Sequence, residues 1–190
     1  MPTPALLIEA YVIVSADGML ANADRVMPAQ LKFEADQRFF GSALDHADLI
    51  VHGRRSFEDQ PNSPRRRRLV LTRAVGAIAP DPSNPKATLW NPAGASFETA
   101  CEAAEVSRGT VAIIGGRDVF SMFLDRYDTF WLSQAQRVRI PDGEPCLTGV
   151  PALTPQQILA AHGLHAGTAQ ILDAANDVSV TPWRRVAPAP

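Results

Sequence analysis

Thr110-Val-Ala-Ile-Ile-Gly-Gly-Arg-Asp-Val-Phe-Ser-Met-Phe-Leu124 is the stretch from which the fold of this chain can be read. Val111 to Ile114 is a short, uncharged run rich in β-branched residues, as in a strand buried on both faces of a parallel sheet. Gly115 and Gly116 end it. From Arg117 the apolar residues Val119, Phe120, Phe123 and Leu124 fall at helical spacing. The stretch therefore reads as strand, glycine turn, helix. Two glycines at such a junction let a ligand approach bare backbone, and the free amides of a helix start attract phosphate. A tight turn with no ligand stays open as an alternative, because this is not a full dinucleotide fingerprint.

The same alternation extends outward. Residues 6–14 form a nearly continuous apolar run, a central strand. A turn at Ser15-Ala16-Asp17-Gly18 follows, and then a loop over 22–28. Residues 29–44 carry Leu31, Phe33, Ala35, Phe39, Phe40, Ala43 and Leu44 on one helical stripe. A strand is expected over 47–52, a short helix near 56–59, and a Pro- and Arg-rich connection over 60–68. Leu69-Val70-Leu71 is a short strand, 74–86 reads as loop, and 88–90 as a small strand. Ser96 suits the N-cap of a helix reaching about Val106. Beyond Leu124, residues 127–135 alternate as a strand that continues raggedly to Ile140. Pro141-Asp142-Gly143 is a turn, and Thr154-Pro155 opens a helix through Ala161. Residues 169–172 and 178–185 form a closing antiparallel pair, and the tail 187–190 is expected to fray. Strands alternating with helices, then strands alone, predict an α/β domain with a mostly parallel central sheet and an antiparallel C-terminal hairpin.

Composition bounds the function. A chain of 190 residues is expected to form one domain with a substantial core. A net charge of −2 argues against a nucleic-acid or membrane surface, and the Arg65–Arg68 run lacks interleaved aromatics. No apolar run approaches the roughly 18 residues of a membrane span. Residues 1–15 lack a basic region of the signal-peptide kind. Two cysteines are too few for a disulfide framework, which fits a reducing cytoplasm. The four histidines show no ligand spacing, so no metal is expected.

Several polar features share one address, the C-terminal ends of predicted strands, where open α/β sheets bind ligands. These are Asp17-Gly18, Gly53-Arg54, Thr72-Arg73, Gly115-Gly116 and, within a strand, Ser133. Arg54 and Arg73 can clamp a phosphate; two solvated arginines are the competing reading. Of Arg65 to Arg68, at most one is expected to anchor an anion, the rest forming a solvated face. Asp36 sits near an apolar helical stripe, where a carboxyl group gains a raised pKa and can hold a proton; pattern alone favours an exposed helical Asp.

In this order the motifs resemble the dihydrofolate reductase-like superfamily, including the reductase domain of the riboflavin-biosynthesis deaminase/reductase. The likeness rests on Val14-Ser-Ala-Asp-Gly-Met-Leu-Ala21, Asp45-His-Ala-Asp-Leu-Ile-Val-His-Gly-Arg54 and Ile113-Ile-Gly-Gly-Arg117, and runs from about Leu6 to Ala135. It implies a three-layer fold of that type and an NADPH-dependent hydride transfer to a pyrimidine- or pterin-like substrate. Asp36-Gln-Arg-Phe-Phe40 is similar to the Asp-x-x-x-Phe helix whose Asp binds the substrate ring. Asp36 inherits the catalytic role, with Asp17, Phe40, Arg66 and Ser133 on the substrate. Arg66 lies close to where dihydrofolate reductases keep the Arg that pairs with the glutamate tail of folate. Gly53, Arg54, Ser56, Thr72 and Arg73 are implied on the NADPH phosphates. Gly115, Gly116, Arg117, Asp118 and Val119 are implied along the rest of the cofactor, at a glycine pair where the family has a cis peptide. Met27-Pro28-Ala29 stands where dihydrofolate reductases carry Pro-Trp, and Phe120 where a Tyr is common. The riboflavin-type reductase is the leading reading and dihydrofolate reductase its rival. A non-catalytic nucleotide-binding protein is the alternative of another class. The riboflavin-type likeness also implies a homodimer.

Overall fold

The computed structural model describes residues 6–186; the tail 187–190 lies outside them, as do the first five residues. In chain order the strands and helices are β1 Leu6–Ser15, β2 Met19–Ala21, α1 Glu34–His46, β3 Leu49–Gly53, β4 Arg68–Leu71, β5 Ile78–Pro80 and β6 Ala87–Trp90. They continue with α2 Phe97–Ala103, β7 Gly109–Ile113, α3 Arg117–Met122, β8 Thr129–Ala135, β9 Glu144–Pro145 and α4 Pro155–Ala161. The last three are β10 Leu164–Ala166, β11 Gln170–Asp173 and β12 Val178–Arg185.

The main sheet runs β10-β12-β8-β1-β7-β3-β4-β6-β5, with β11 paired to β12; β2 and β9 form a separate small pair. Its centre, β8-β1-β7-β3-β4-β6, is parallel throughout. Antiparallel pairing is confined to the two ends, at β12 with β8, β10 and β11, and at β5 with β6. Three layers result. Leu44 of α1 packs on one face against Tyr11, Ile50 and Ala112. On the other face Phe97 of α2, Val119 and Phe120 of α3 and Ile158 and Leu159 of α4 close over Ile8, Leu49, Val51, Val111, Ile113 and Phe130. Each fully buried aliphatic or aromatic side chain there contributes roughly 1.5–3 kcal/mol. The mixed α/β sheet and its antiparallel C-terminal strands follow the sequence reading.

Ser96 caps α2 by accepting from the Thr99 amide at 3.1 Å. Thr154 and Gln157 cap α4 reciprocally: the Gln157 amide donates to Thr154 Oγ1 at 3.2 Å and the Thr154 amide to Gln157 Oε1 at 2.9 Å.

Four local expectations are corrected. The helix expected over 29–44 is a 3-10 turn at Ala29–Leu31, a break, and then α1. Leu31 and Phe33 pack into the core of one sheet face, whereas Phe39, Phe40 and Ala43 pack on the other, and one straight helix cannot serve both. No helix forms at 56–59. Glu58 turns inward instead, its carboxylate accepting from the Gln60 amide at 3.0 Å and its carbonyl from Ser63 Oγ at 2.8 Å. The strand expected to reach Ile140 ends at Ala135, because the Val138 amide turns back to the Ala135 carbonyl at 3.1 Å. Within the expected 74–86 loop, Ile78–Pro80 adds an edge strand, where a proline is tolerated.

Candidate active site

Two groups of residues meet the C-terminal edge of the parallel strands. The first is built on neighbouring strands β3 and β7. The Gly53 amide donates to the Gly115 carbonyl at 2.8 Å, which ties the two strand ends together. The Gly115–Gly116 peptide bond is cis. Gly115 has φ +106°, and a Cβ there would lie 2.7 Å from the Phe120 ring, so only glycine fits. A Cβ on Gly116 would meet Ser56 Oγ at 3.3 Å, and one on Gly53 would lie 3.6 Å from Val119. Gly53, Ser56, Gly115, Gly116 and Val119 therefore come together as a backbone cradle.

Cations flank this cradle. Arg54 and Arg73 are exposed. Among the described residues neither forms an ion pair. Thr72 is buried; its amide donates to the Trp90 carbonyl at 2.9 Å, and its hydroxyl accepts from the Ala74 amide at 3.0 Å, leaving the hydroxyl proton free. Arg117 faces its neighbour Asp118 at 3.1 Å and Glu144 of β9 at 3.7 Å. Asp118 is itself exposed.

The second group lies on α1 and β8. Asp36 stands in the first turn of α1 and is only 7% exposed. Burial raises its pKa to about 6, against the opposing influence of the nearby Ser133 hydroxyl. Desolvation thus outweighs that hydroxyl. Ser133 is 2% exposed, so the pair is isolated from bulk water. Phe40 is half-buried one turn further along α1, against the Tyr11 cluster. Strands β8 and β3 lie three positions apart in the sheet, about 14 Å.

Asp17 and Arg66 are placed differently. Asp17 Oδ1 accepts from Ser15 Oγ at 2.5 Å and from the Ile140 amide at 3.1 Å. Burial opposes its ionisation, but these donors outweigh it and hold the carboxyl below the usual range. Its carboxylate thus pins the turn after β1 to the 140 loop. Arg66 is 7% exposed, with Asp45 at 2.6 Å and Glu58 at 2.9 Å, so an outside anion would have to displace a carboxylate.

Glu58 and His52 carry no role in the sequence reading and Arg68 only a place in the basic run, yet all three are buried. Arg68 is 1% exposed, pairs with Glu58, and has its guanidinium carbon 4.7 Å from the centre of the Phe57 ring. His52 Nε2 accepts from Arg68 Nη1 at 3.3 Å, and its Nδ1 donates to the Gly53 carbonyl at 2.8 Å. Burial and the neighbouring guanidinium hold the imidazole neutral by lowering its pKa. This network carries the chain from the cradle at Gly53 down to the start of β4. Its only sequence signal was that Arg66 and Arg68 are two apart, the spacing of one strand face.

Among the described residues no cluster of His, Cys, Asp or Glu is placed to hold a metal ion, and no helix is long and apolar enough to cross a membrane.

No family model and no curated protein matches the sequence. Solved structures do match. A dihydrofolate reductase from Enterococcus faecalis, complexed with NADP(H) and RAB-propyl, is 17% identical with a TM-score of 0.63, over 94% of this chain and 96% of that one. A protein from Shewanella sp. PV-4 assigned to riboflavin biosynthesis is 16% identical with a TM-score of 0.66, over 95% and 99%. A Thermotoga maritima diaminohydroxyphosphoribosylaminopyrimidine deaminase/5-amino-6-(5-phosphoribosylamino)uracil reductase is 13% identical with a TM-score of 0.65. That match covers 96% of this chain and 57% of the other. With the sheet order and edge geometry above, these likenesses identify the architecture: the chain has the fold of the dihydrofolate reductase-like superfamily.

Proposed function

We propose that the protein is an NADPH-dependent reductase that delivers hydride to a pyrimidine- or pterin-like ring. The observation that carries this reading is Asp36: a buried carboxyl with a pKa of about 6, near Ser133, on the same sheet edge as the glycine cradle. Such a group exchanges its proton close to neutrality and can pass it to a ring nitrogen, a role worth roughly 10²–10⁴ in rate.

The cradle fits a dinucleotide. Gly115 and Gly116 offer bare backbone where a side chain would collide, and Ser56 and Thr72 offer hydroxyls. Arg54 and Arg73 are cations without carboxylate partners, suited to a 2′-phosphate. The chemistry NADPH supplies when bound is a hydride. The chain's part is to hold the acceptor ring through Asp36, exclude water there by burial, and keep the two groups at a set spacing.

Among substrates, a 5-amino-6-(5-phosphoribosylamino)uracil-like pyrimidine is favoured over dihydrofolate. The Arg nearest the place of the folate glutamate tail, Arg66, is already neutralised by Asp45 and Glu58. We place the protein in the cytoplasm, where the buried Cys101 and Cys146 remain thiols. A homodimer is carried over from the riboflavin-type likeness alone.

The first experiment is a fluorescence titration with NADPH and NADH side by side. Tighter binding of NADPH by at least tenfold supports the cofactor reading. Binding of neither coenzyme would sink the reductase assignment and leave only a shared fold.

A further inference from the structure

One side of α1 faces the 54–66 connection, and its residues at that side are Gln37, Gly41 and Asp45. They are spaced i, i+4, i+8, so they span about 12 Å of one helical stripe. Each is tied across to the connection. Gln60 Nε2 donates to the Gln37 carbonyl at 3.1 Å. Gly41 leaves room for the Gln60 amide: a Cβ there would sit 3.0 Å from Gln60 Oε1. Arg66 donates to Gln60 Oε1 at 3.1 Å and to the Gly41 carbonyl at 3.4 Å, and pairs with Asp45 at 2.6 Å. Glu58 supplies the second carboxylate on Arg66 at 2.9 Å. The seam is continuous from one residue past Asp36 to the last turn of the helix.

We infer that this seam sets an upper limit on the substrate: a compact ring with a short substituent is accepted, and a ring with a long acidic arm running along α1 is not. The inference rests on Asp36 as the anchor of the ring. An arm following that side of α1 meets the Gln60 amide first, then a guanidinium already shared by two carboxylates. Entry there requires the seam to part. The negative charge of the arm gives it no advantage, because Asp45 and Glu58 already neutralise Arg66 and repel a further carboxylate.

The test compares two ligands that share one ring, 2,4-diaminopteridine with and without an aminobenzoyl-glutamate arm, by titration of the full chain in the presence of NADPH. Wild type is expected to bind the bare ring at least tenfold more tightly than the armed one. In Gln60→Ala, which opens the seam without touching Asp36 or the cradle, this gap is expected to shrink to under threefold with the affinity for the bare ring unchanged. An armed ligand bound by wild type as tightly as the bare ring overturns the size limit. So does a gap that persists undiminished in Gln60→Ala. Binding of neither ligand overturns the anchor reading of Asp36 and the size limit with it, while NADPH binding, read in the same cuvette, stays as a separate result.

Discussion

At the scale of single residues, Asp36 is where burial and chemistry conflict. The folded-state pKa of about 6 lies above the ordinary 3.8, so the folded protein holds this proton more tightly than the unfolded chain does. Ionisation therefore costs stability as pH rises from about 4 through 6, by about 3 kcal/mol at completion. Asp36→Asn removes that cost. Its stability relative to wild type is expected to improve by about that amount between pH 4 and pH 8, measured by urea unfolding at the two values. The same substitution is expected to cut turnover at least tenfold while NADPH affinity stays near wild type. Unchanged turnover would take Asp36 out of the chemistry. Arg73 makes the other prediction at this scale. As an exposed cation without a carboxylate partner it is free to meet a 2′-phosphate, so Arg73→Ala is expected to weaken NADPH much more than NADH. Equal losses would show that it does not distinguish the two.

At the scale of elements, the segment between β3 and β4 behaves unlike the rest. It has no α-helix, only a 3-10 turn at Ser63–Arg65, and its anchor is a buried charge network in place of an apolar stripe. Glu58 serves both Arg66 and Arg68, whose side chains are 6% and 1% exposed. Burial opposes its ionisation, and the two guanidinium groups with the Gln60 amide overcome that and hold its carboxyl below the usual range. Removing the shared carboxylate strands buried positive charge. Glu58→Ala is expected to destabilise the fold by about 3–5 kcal/mol, whereas Glu105→Ala, which loses only the half-exposed partner Arg67, is expected to cost under about 1 kcal/mol. Similar losses for both variants, measured by denaturant unfolding, would mean that the network does not bear on the position of this segment. The basic run reads as a solvated face because sequence alone does not say which way each side chain points. Arg65 closes a 3-10 turn and stays exposed, Arg66 turns inward onto Asp45 and Glu58 before β4 begins, and Arg68, the first residue of β4, turns inward onto Glu58.

At the scale of the whole molecule, ligand binding is expected to appear as stability. At 100 times its Kd, a ligand that binds only the folded state contributes about 2.7 kcal/mol. For a chain of this length that is about 5–11 °C in Tm. NADPH is expected to give such a shift in a thermal melt and NADH a smaller one at the same concentration. No shift with saturating NADPH would contradict the cradle as a dinucleotide site. The fold is legible at this scale because its signals are local and repeated. Mostly apolar runs at 6–14, 49–51 and 111–114 mark strands covered on both faces, and intervening helical stripes mark crossovers. Ser96 and Thr154 announce their helices because a cap hydrogen bond reaches only three residues.

By itself, the sequence determined the alternating α/β order, the glycine junction at 115–116 and the candidacy of Asp36, since each depends on neighbours within a few residues. Tertiary structure alone decided what depends on distant partners. It buried Asp36 against Ser133, 97 residues away in the chain, and so raised its pKa. It joined the Gly53 amide to the Gly115 carbonyl, which turned two unrelated strand ends into one cradle. It also turned Arg66 from a free cation into a neutralised one, because Asp45 and Glu58 reach it only when α1 and the connection pack side by side.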